Sequence, residues 1–177
     1  MISVPQFGKK SFNICHVFLF MTKPIPDGFH TVTPSIVLSN SKEAIEFYKK
    51  AFDAREIYQM PTPDGKTMHA MIQIGDSFIM MSDEFPQIGC TAPTTIGGTS
   101  TTIHLYVDDS DKVYNQAVQA GAKPAMPIMD AFWGDRCGSI IDPFGHSWMI
   151  STHKKDMSPE EIRNAADEYM AKQYGSQ

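Results

Sequence analysis

The 177-residue sequence lacks several features that would assign it to a common functional class. No apolar run approaches the roughly 18 residues that a bilayer span needs. Lys and Arg are scattered without a basic stripe, and the net charge of −5 argues against a nucleic-acid surface. Neither GxSxG, GxGxxG nor GxxxxGK(S/T) occurs, so serine-hydrolase, Rossmann and P-loop functions have no support. We expect neither a membrane nor a nucleic-acid partner.

Cysteine is also scarce, and its three positions are far apart. Cys15, Cys90 and Cys137 are odd in number and form no CxxC pair, which favours free thiols and a cytoplasmic location. The basic and apolar stretch near the N-terminus superficially resembles a signal peptide, but no small-residue cleavage site follows it. Residues 1–28 are predicted to be an N-terminal extension that precedes the first module. Within it, residues 1–20 are expected to precede a natural start at Met21.

The segment 132–151 carries the strongest local signal in the sequence. Asp142-Pro143-Phe144-Gly145 is a turn, since Pro presets φ, Gly accepts a positive φ and Asp can bond its own backbone. The turn predicts a hairpin of two strands, residues 136–141 and 146–151. Alternation places Trp148 in the core.

The predicted elements occur in the order βαβββ twice. Leu38-Ser39-Asn40 matches Val107-Asp108-Asp109 at an offset of 107 − 38 = 69, and Gly75 matches Gly145 at 145 − 75 = 70. The near-constant offset indicates an internal duplication. A capping box at Ser158 to Glu161 predicts a C-terminal helix that packs on its own sheet or on a second subunit.

The sequence resembles the vicinal oxygen chelate superfamily of glyoxalase I, bleomycin-resistance proteins and extradiol dioxygenases, and within it the PhnB-like group. The segments AIEFYKKAFDA, IGDSFIMMSDE, HLYVDD, FWGDR and IIDPFGHSWMI carry the resemblance. It implies an α+β fold of two tandem βαβββ modules forming a curved mixed sheet with a central cleft, followed by a C-terminal helix. The expected boundaries are 29–84 and 100–153 for the modules, 85–99 for the linker and 154–177 for the helix and tail.

Strand alternation separates an aliphatic face from a mixed polar face in each module. The aliphatic faces should pack on the helices, and the mixed faces should line the cleft. Aromatic and methionine side chains suit flat or irregular small molecules, while His, Gln and Arg fix their orientation. The candidate ligand-binding residues are His69, Gln73, Met81, His104, Tyr106, Trp133, Arg136, Ser139 and Met149.

The resemblance also implies where a metal would bind, through a His on the first strand and a Glu on the last strand of each module. Those positions fall on Thr33, Ile79, Thr102 and Met149. Hydroxyls, an alkyl chain and a thioether are poor ligands for a divalent transition metal. We therefore expect no cofactor, with a divalent metal as the alternative.

Three functions remain open from the sequence. The first is a glyoxalase/bleomycin-resistance-like protein that binds a small organic molecule between the modules, as a homodimer and without the family's metal. The second is a metal-dependent lyase, isomerase or dioxygenase, or an enzyme with His69 or His104 as general base. The third is a protein-association domain that uses the C-terminal helix.

Overall fold

The structure, a computed structural model, describes residues 22–174; Cys15 and the signal-like stretch lie outside this range. Two βαβββ modules follow one another, joined by a linker with a 3-10 helix and a short α-helix. The elements are β1 (Ser35–Leu38), α1 (Ser41–Phe52), β2 (Arg55–Pro61), β3 (Thr67–Ile74), β4 (Ser77–Asp83), a 3-10 helix (Pro86–Ile88), α2 (Pro93–Ile96), β5 (Thr102–Tyr106), α3 (Ser110–Gln119), β6 (Lys123–Asp130), β7 (Asp135–Ile141), β8 (Ser147–His153) and α4 (Pro159–Tyr174).

Each module forms its own four-stranded mixed sheet, in the orders β1-β4-β3-β2 and β5-β8-β7-β6. The α+β fold with duplicated βαβββ modules and a C-terminal helix is thus confirmed. The sheets are separate, which leaves β1 and β5 each with one unpaired edge. Ser35 pairs with Met80 and His104 with Met149, so the modules correspond at an offset of 104 − 35 = 149 − 80 = 69.

The helices begin where their capping residues predict. Asn40 accepts a hydrogen bond from the Glu43 amide at 3.2 Å, and Asp109 accepts the equivalent bond from Lys112 at 3.0 Å. The capping box of α4 is also present, since Ser158 and Glu161 bond each other's backbone amides. Among residues 22–174, no helix combines the length and apolar character of a membrane span.

One hydrophobic core joins the modules. α1 and α3 contact each other, and both pack on the aliphatic faces of the sheets, here called the helix faces. Trp148 is fully buried, with its ring centroid 4.8 Å from that of Phe52 and 5.4 Å from that of Tyr48. The predicted core position of Trp148 is therefore confirmed. The opposite faces of the sheets are called the open faces.

The β7–β8 loop forms the polar centre of this junction. Asp142 is buried and accepts hydrogen bonds from the Phe144 and His146 amides, both at 2.9 Å, as the predicted turn requires. Its other oxygen accepts bonds from Tyr48 Oη at 2.7 Å and Trp148 Nε1 at 2.9 Å. Four donors satisfy this buried carboxylate, which makes its burial affordable.

Candidate functional site

An open groove of about 910 Å³ lies between the modules, along the free edge of β5. β5 forms one wall, and the β3–β4 turn with the residues before β1 forms the other. The apolar lining is Val32, Pro34, Phe52, Ile74, Phe78, Ile79, Ile103, Leu105, Val107 and Val113. The ionisable or amide side chains are His30, Asp53, Arg55, Gln73, Asp76, His104, Tyr106 and Asp108.

The groove exists because the equivalent hairpin turns differ in length. Five residues, 142–146, join β7 to β8, and this loop covers β1. Its Phe144 is buried, and His146 Nε2 donates to the Val37 carbonyl at 3.0 Å. Only Gly75 and Asp76 join β3 to β4, so the second module's first strand has no matching cover.

The consequence is visible in equivalent aliphatic residues. Ile36 and Leu38 of β1 are buried, whereas Leu105 and Val107 of β5, their equivalents at the offset of 69, are only partly buried. A strand with an unpaired edge and half-covered aliphatic side chains offers both apolar surface and backbone hydrogen-bonding groups. The chain therefore has a pocket beside β5 that it lacks beside β1.

His104 and Tyr106 also line this groove, on the face of β5 opposite to that of Ile103, Leu105 and Val107. Both project from the open face of β5, and their rings are stacked, with centroids 4.7 Å apart and an interplanar angle of 12°. His104 Nε2 lies 2.7 Å from Ser151 Oγ, which fixes the imidazole. Tyr106 is 64% exposed, so one face of the stack is free to contact a planar ligand.

Asp135 of β7 extends the site beyond the groove. Its carboxylate is 3% exposed and accepts hydrogen bonds from Tyr106 Oη and Trp133 Nε1, both at 3.0 Å. Its other oxygen lies 2.9 Å from His153 Nδ1. His153 Nε2 in turn lies 3.0 Å from Asp156 Oδ1. Aromatic and titratable groups from β5, β7 and β8 thus meet at one buried carboxylate.

These contacts set the ionisation of the cluster. Burial works against ionisation of Asp135, but the hydrogen bonds from His153, Tyr106 and Trp133 outweigh it and lower the pKa of the carboxyl. Hydrogen bonds to Asp156 and then Asp135 raise the pKa of His153. The bond to Asp135 raises the pKa of Tyr106, so its hydroxyl stays a donor. The cluster is therefore a carboxylate held by neutral and cationic donors.

Cys137 lies beside this cluster but is not built as a nucleophile. It is fully buried on the open face of β7, opposite Ser151 in the sheet. Burial raises the pKa of its thiol, and the Asp135 charge adds to the effect. The thiolate, which is the reactive form, is disfavoured.

The structure brings three of the predicted binding residues to the groove, namely Gln73, His104 and Tyr106. Gln73 accepts a hydrogen bond from Arg55 at 2.6 Å and lies at the end of β3. His69 lies elsewhere on the first sheet, with its ring centroid 5.5 Å from that of Tyr58, and does not line the groove.

Trp133, Ser139 and Met149 do not line the groove and lie in the second module. Met149 pairs with both His104 and Ser139, so these three side chains share one row of the open face. Trp133 reaches the same region by its bond to Asp135.

Two placements are wrong. Met81 was expected on the mixed face, but it pairs with Ile36 and Ala70 and is fully buried in the core on the helix face. The strand β4 runs one residue out of phase with the expectation, because aligning Gly75 with Gly145 gives an offset of 70, whereas the strand pairing sets an offset of 69. Met80, which pairs with Met71, is the residue that occupies the open face.

Arg136 is the other wrong placement, since it lies on the helix face of β7. Its Nε and Nη2 atoms contact the two carboxylate oxygens of Asp111 at 2.5 and 2.7 Å, and Nη1 contacts Asp130 at 3.1 Å. These ion pairs raise the pKa of the guanidinium, with Asp111 as the main cause. Arg136 therefore links α3 and β6 to β7 and does not face a ligand.

The same register corrects one inferred metal-ligand position. Thr33 is equivalent to Thr102, but the equivalent of Met149 is Met80, not Ile79, which is buried in the core. Two threonines and two methionines still offer no carboxylate or imidazole. Among residues 22–174, no three His, Cys, Asp or Glu side chains converge as metal ligands. The side chains at the family positions thus do not fit a divalent transition metal.

The sequence predicts Asp135 only as a residue at the edge of the cleft, and it does not predict His153 as a site residue. A signal existed, because alternation along the hairpin from Cys137 and Ser151 places both on the open face. The pairing of Asp135 with His153, however, requires the hairpin register. Asp156 follows β8 in the connection to α4, where alternation predicts nothing.

The duplicated modules and the groove between them define a protein of the vicinal oxygen chelate class. Residues 29–150 match the Glyoxalase/Bleomycin resistance protein/Dioxygenase superfamily, and the chain belongs to this superfamily. The chain is 40% identical over 137 residues to the uncharacterized protein Rv0887c of Mycobacterium tuberculosis (strain ATCC 25618 / H37Rv). The matched residues cover 76% of this chain and 81% of the relative. The resemblance drawn from the sequence is confirmed at the level of the superfamily.

Solved structures share the fold. Protein PA1353 from Pseudomonas aeruginosa is 24% identical, with a TM-score of 0.59 over 70% of this chain and 98% of that one. The PhnB protein from Bacillus cereus is 16% identical, with a TM-score of 0.55 over 70% and 99% of the two chains. A PhnB protein is thus among the structural neighbours.

Proposed function

We propose that the protein binds a flat, largely apolar small organic molecule in the groove beside β5, without a metal ion. The observation that carries this proposal is the His104–Tyr106 stack, with Tyr106 exposed, among the residues that line a groove of about 910 Å³ with apolar walls. That volume lies within the range of small-molecule sites, and apolar walls with a few fixed polar groups are their usual composition.

N-phenyl-1-naphthylamine, an uncharged dye with a flat naphthalene ring that fluoresces in apolar surroundings, tests the proposal. We expect saturable fluorescence enhancement with the native protein. Tyr106→Ala should weaken binding about 3- to 10-fold because it removes one ring of the stack. Tyr106→Phe, which keeps the ring, should retain most of the affinity. Phe85→Ala is the control, since this partly exposed linker residue does not line the groove.

Equal affinities of the native protein, Tyr106→Ala and Phe85→Ala would contradict the placement of the ligand. Metal content distinguishes the proposal from the metal-dependent lyase, isomerase or dioxygenase alternative. We expect elemental analysis of natively purified protein to find far less than one equivalent of Ni, Zn, Mn or Fe, and dye binding to be insensitive to EDTA. A stoichiometric metal that EDTA removes together with dye binding would support the alternative.

A second copy of the chain is the expected partner at the open side of the site. Tyr106 on the second module and Met60 on the first are 64% and 52% exposed, and both belong to open faces. Exposed apolar side chains on faces next to unpaired strand edges favour association. Light scattering should give a mass near 2 × 19.7 = 39.4 kDa. The monomer mass at micromolar concentration would contradict the dimer.

A further inference from the structure

The position of His153 carries an inference about the chemical class of the ligand. Asp135 is buried and accepts from three side chains, so it is a fixed acceptor behind Tyr106, which lines the groove. Because an ionised carboxylate only accepts hydrogen bonds, the Nδ1 atom of His153 carries its proton toward Asp135. The bond fixes the ring orientation and directs Nε2 away from the sheet.

The group that contacts Nε2 of His153 is the carboxylate of Asp156, whose side chain is exposed to solvent. Asp156 Oδ1 lies 3.0 Å from His153 Nε2, yet the Asp156 side chain is fully exposed. Two carboxylates on one imidazole require both ring nitrogens to donate, which is the charged form of histidine. His153 is 53% exposed, so another anion can reach Nε2 if Asp156 moves aside.

The backbone next to Asp156 is fixed independently of its side chain. The amides of Lys154 and Lys155 both donate to the Gly134 carbonyl at 3.0 Å, which holds the segment after β8 against the turn before β7. Loss of the Asp156 side-chain contact therefore leaves the segment attached. The carboxylate can exchange without displacing α4.

His153 is also continuous with the proposed ligand groove. Tyr106 lines the groove and donates to one oxygen of Asp135, while His153 binds the other oxygen. A planar molecule lying on the exposed ring of Tyr106 is thus separated from the imidazolium by a single carboxylate group. The apolar wall and the cation together match a molecule with an aromatic ring and an acidic group.

We propose that the protein binds aromatic carboxylic acids, with the ring on Tyr106 and the carboxylate on His153 Nε2, in the place that Asp156 occupies in the free protein. This inference rests on the proposed small-molecule function and specifies its ligand class. Asp156 is an intramolecular substitute for the ligand's carboxylate. It keeps the imidazolium paired when no ligand is bound and competes with the ligand for it.

2-Naphthoate and its uncharged analogue 2-naphthamide, titrated at pH 6 by calorimetry, test the proposal. The native protein should prefer naphthoate about 5- to 10-fold, a modest factor because one carboxylate replaces another on an exposed cation. Asp156→Asn removes the competitor and should increase the preference several-fold. His153→Gln removes the cation and should reduce the preference to near one. Tyr106→Ala should weaken both ligands.

A second measurement follows the imidazole directly. In protein with ¹⁵N-labelled histidine, naphthoate should shift the Nε2 resonance of His153, and naphthamide should not. If the Asp156–His153 pair had only a structural role, Asp156→Asn would lower the stability of the protein. The preference for naphthoate over naphthamide would then stay unchanged.

Three results would overturn the inference: equal affinity for the two ligands, an Asp156→Asn variant with no increased preference, or no binding of either ligand. If N-phenyl-1-naphthylamine still binds in those cases, the proposed function stands and only the ligand class is wrong. If the dye also fails to bind, both proposals are wrong.

Discussion

Tyr48 and Asp142 lie 94 positions apart in the chain and share a buried hydrogen bond of 2.7 Å that joins the two modules. Burial and the neighbouring carboxylate raise the pKa of Tyr48, so the phenol remains the donor. The same loop fills the space beside β1 whose equivalent beside β5 is the ligand groove. The bond links the two modules, and the longer loop that carries Asp142 creates the asymmetry between β1 and β5.

Replacing Tyr48 by Phe should lower the free energy of unfolding by about 1–2 kcal/mol, because Asp142 loses one of four donors in a buried position. Urea denaturation followed by circular dichroism measures the change. Tyr114→Phe is the matched control, since Tyr114 is also buried but makes no side-chain hydrogen bond within residues 22–174. Equal effects of the two variants would contradict a special role of the Tyr48–Asp142 bond.

Gly134→Ala should destabilise the chain more than Gly65→Ala. Both glycines have positive φ values, 97° and 85°, so alanine costs about 1–2 kcal/mol of backbone strain at either position. A Cβ at Gly134 would also collide with the Lys155 carbonyl, whereas a Cβ at Gly65 meets open space. Urea denaturation should therefore give a much lower free energy of unfolding for Gly134→Ala than for Gly65→Ala. The rate of hydrogen exchange in α4 should increase only in Gly134→Ala.

The stability of the protein should depend on pH through His153. Hydrogen bonds to Asp156 and Asp135 raise its pKa above the ordinary value of 6.5, so the folded state favours the imidazolium. The stabilisation is complete below pH 6.5 and is lost as the pH rises through the folded pKa. Denaturation midpoints between pH 5.5 and 8.5 should fall more steeply for the native protein than for His153→Gln. Parallel pH profiles of the two proteins would show that the hydrogen bonds of His153 contribute nothing to stability.

Arg136→Gln should leave ligand binding unchanged, because the guanidinium is paired with Asp111 and Asp130 on the helix face. The dye affinity of this variant should equal that of the native protein. A small loss of thermal stability is expected, since the pairs are partly exposed and screened by water. Strongly reduced dye affinity in a folded Arg136→Gln variant would contradict this placement and indicate that Arg136 contacts the ligand.

The strands β4 and β8 differ in how clearly their sequences show which side chains share a face. Alternation sorted β3, β5 and β8 correctly, because apolar and polar residues alternate there. In β4 the run Phe78 to Met81 is apolar throughout, so hydrophobicity does not distinguish the faces, and a motif offset of 70 displaced the prediction by one residue. The pairing of Ser35 with Met80 sets the true offset of 69. A shift of one residue moves a side chain to the other face of a sheet.

By itself, the sequence determined the duplicated βαβββ order, the helix caps, the Asp142 turn, the buried Trp148 and the superfamily, because these depend on local patterns. The tertiary structure decided the site. The unequal turns opened the groove beside β5 and closed the space beside β1, and the hairpin register placed Asp135 against His153. Tyr106 and Asp156 come from separate segments and meet at this pair only when the chain is folded. No local pattern specifies such distances between segments.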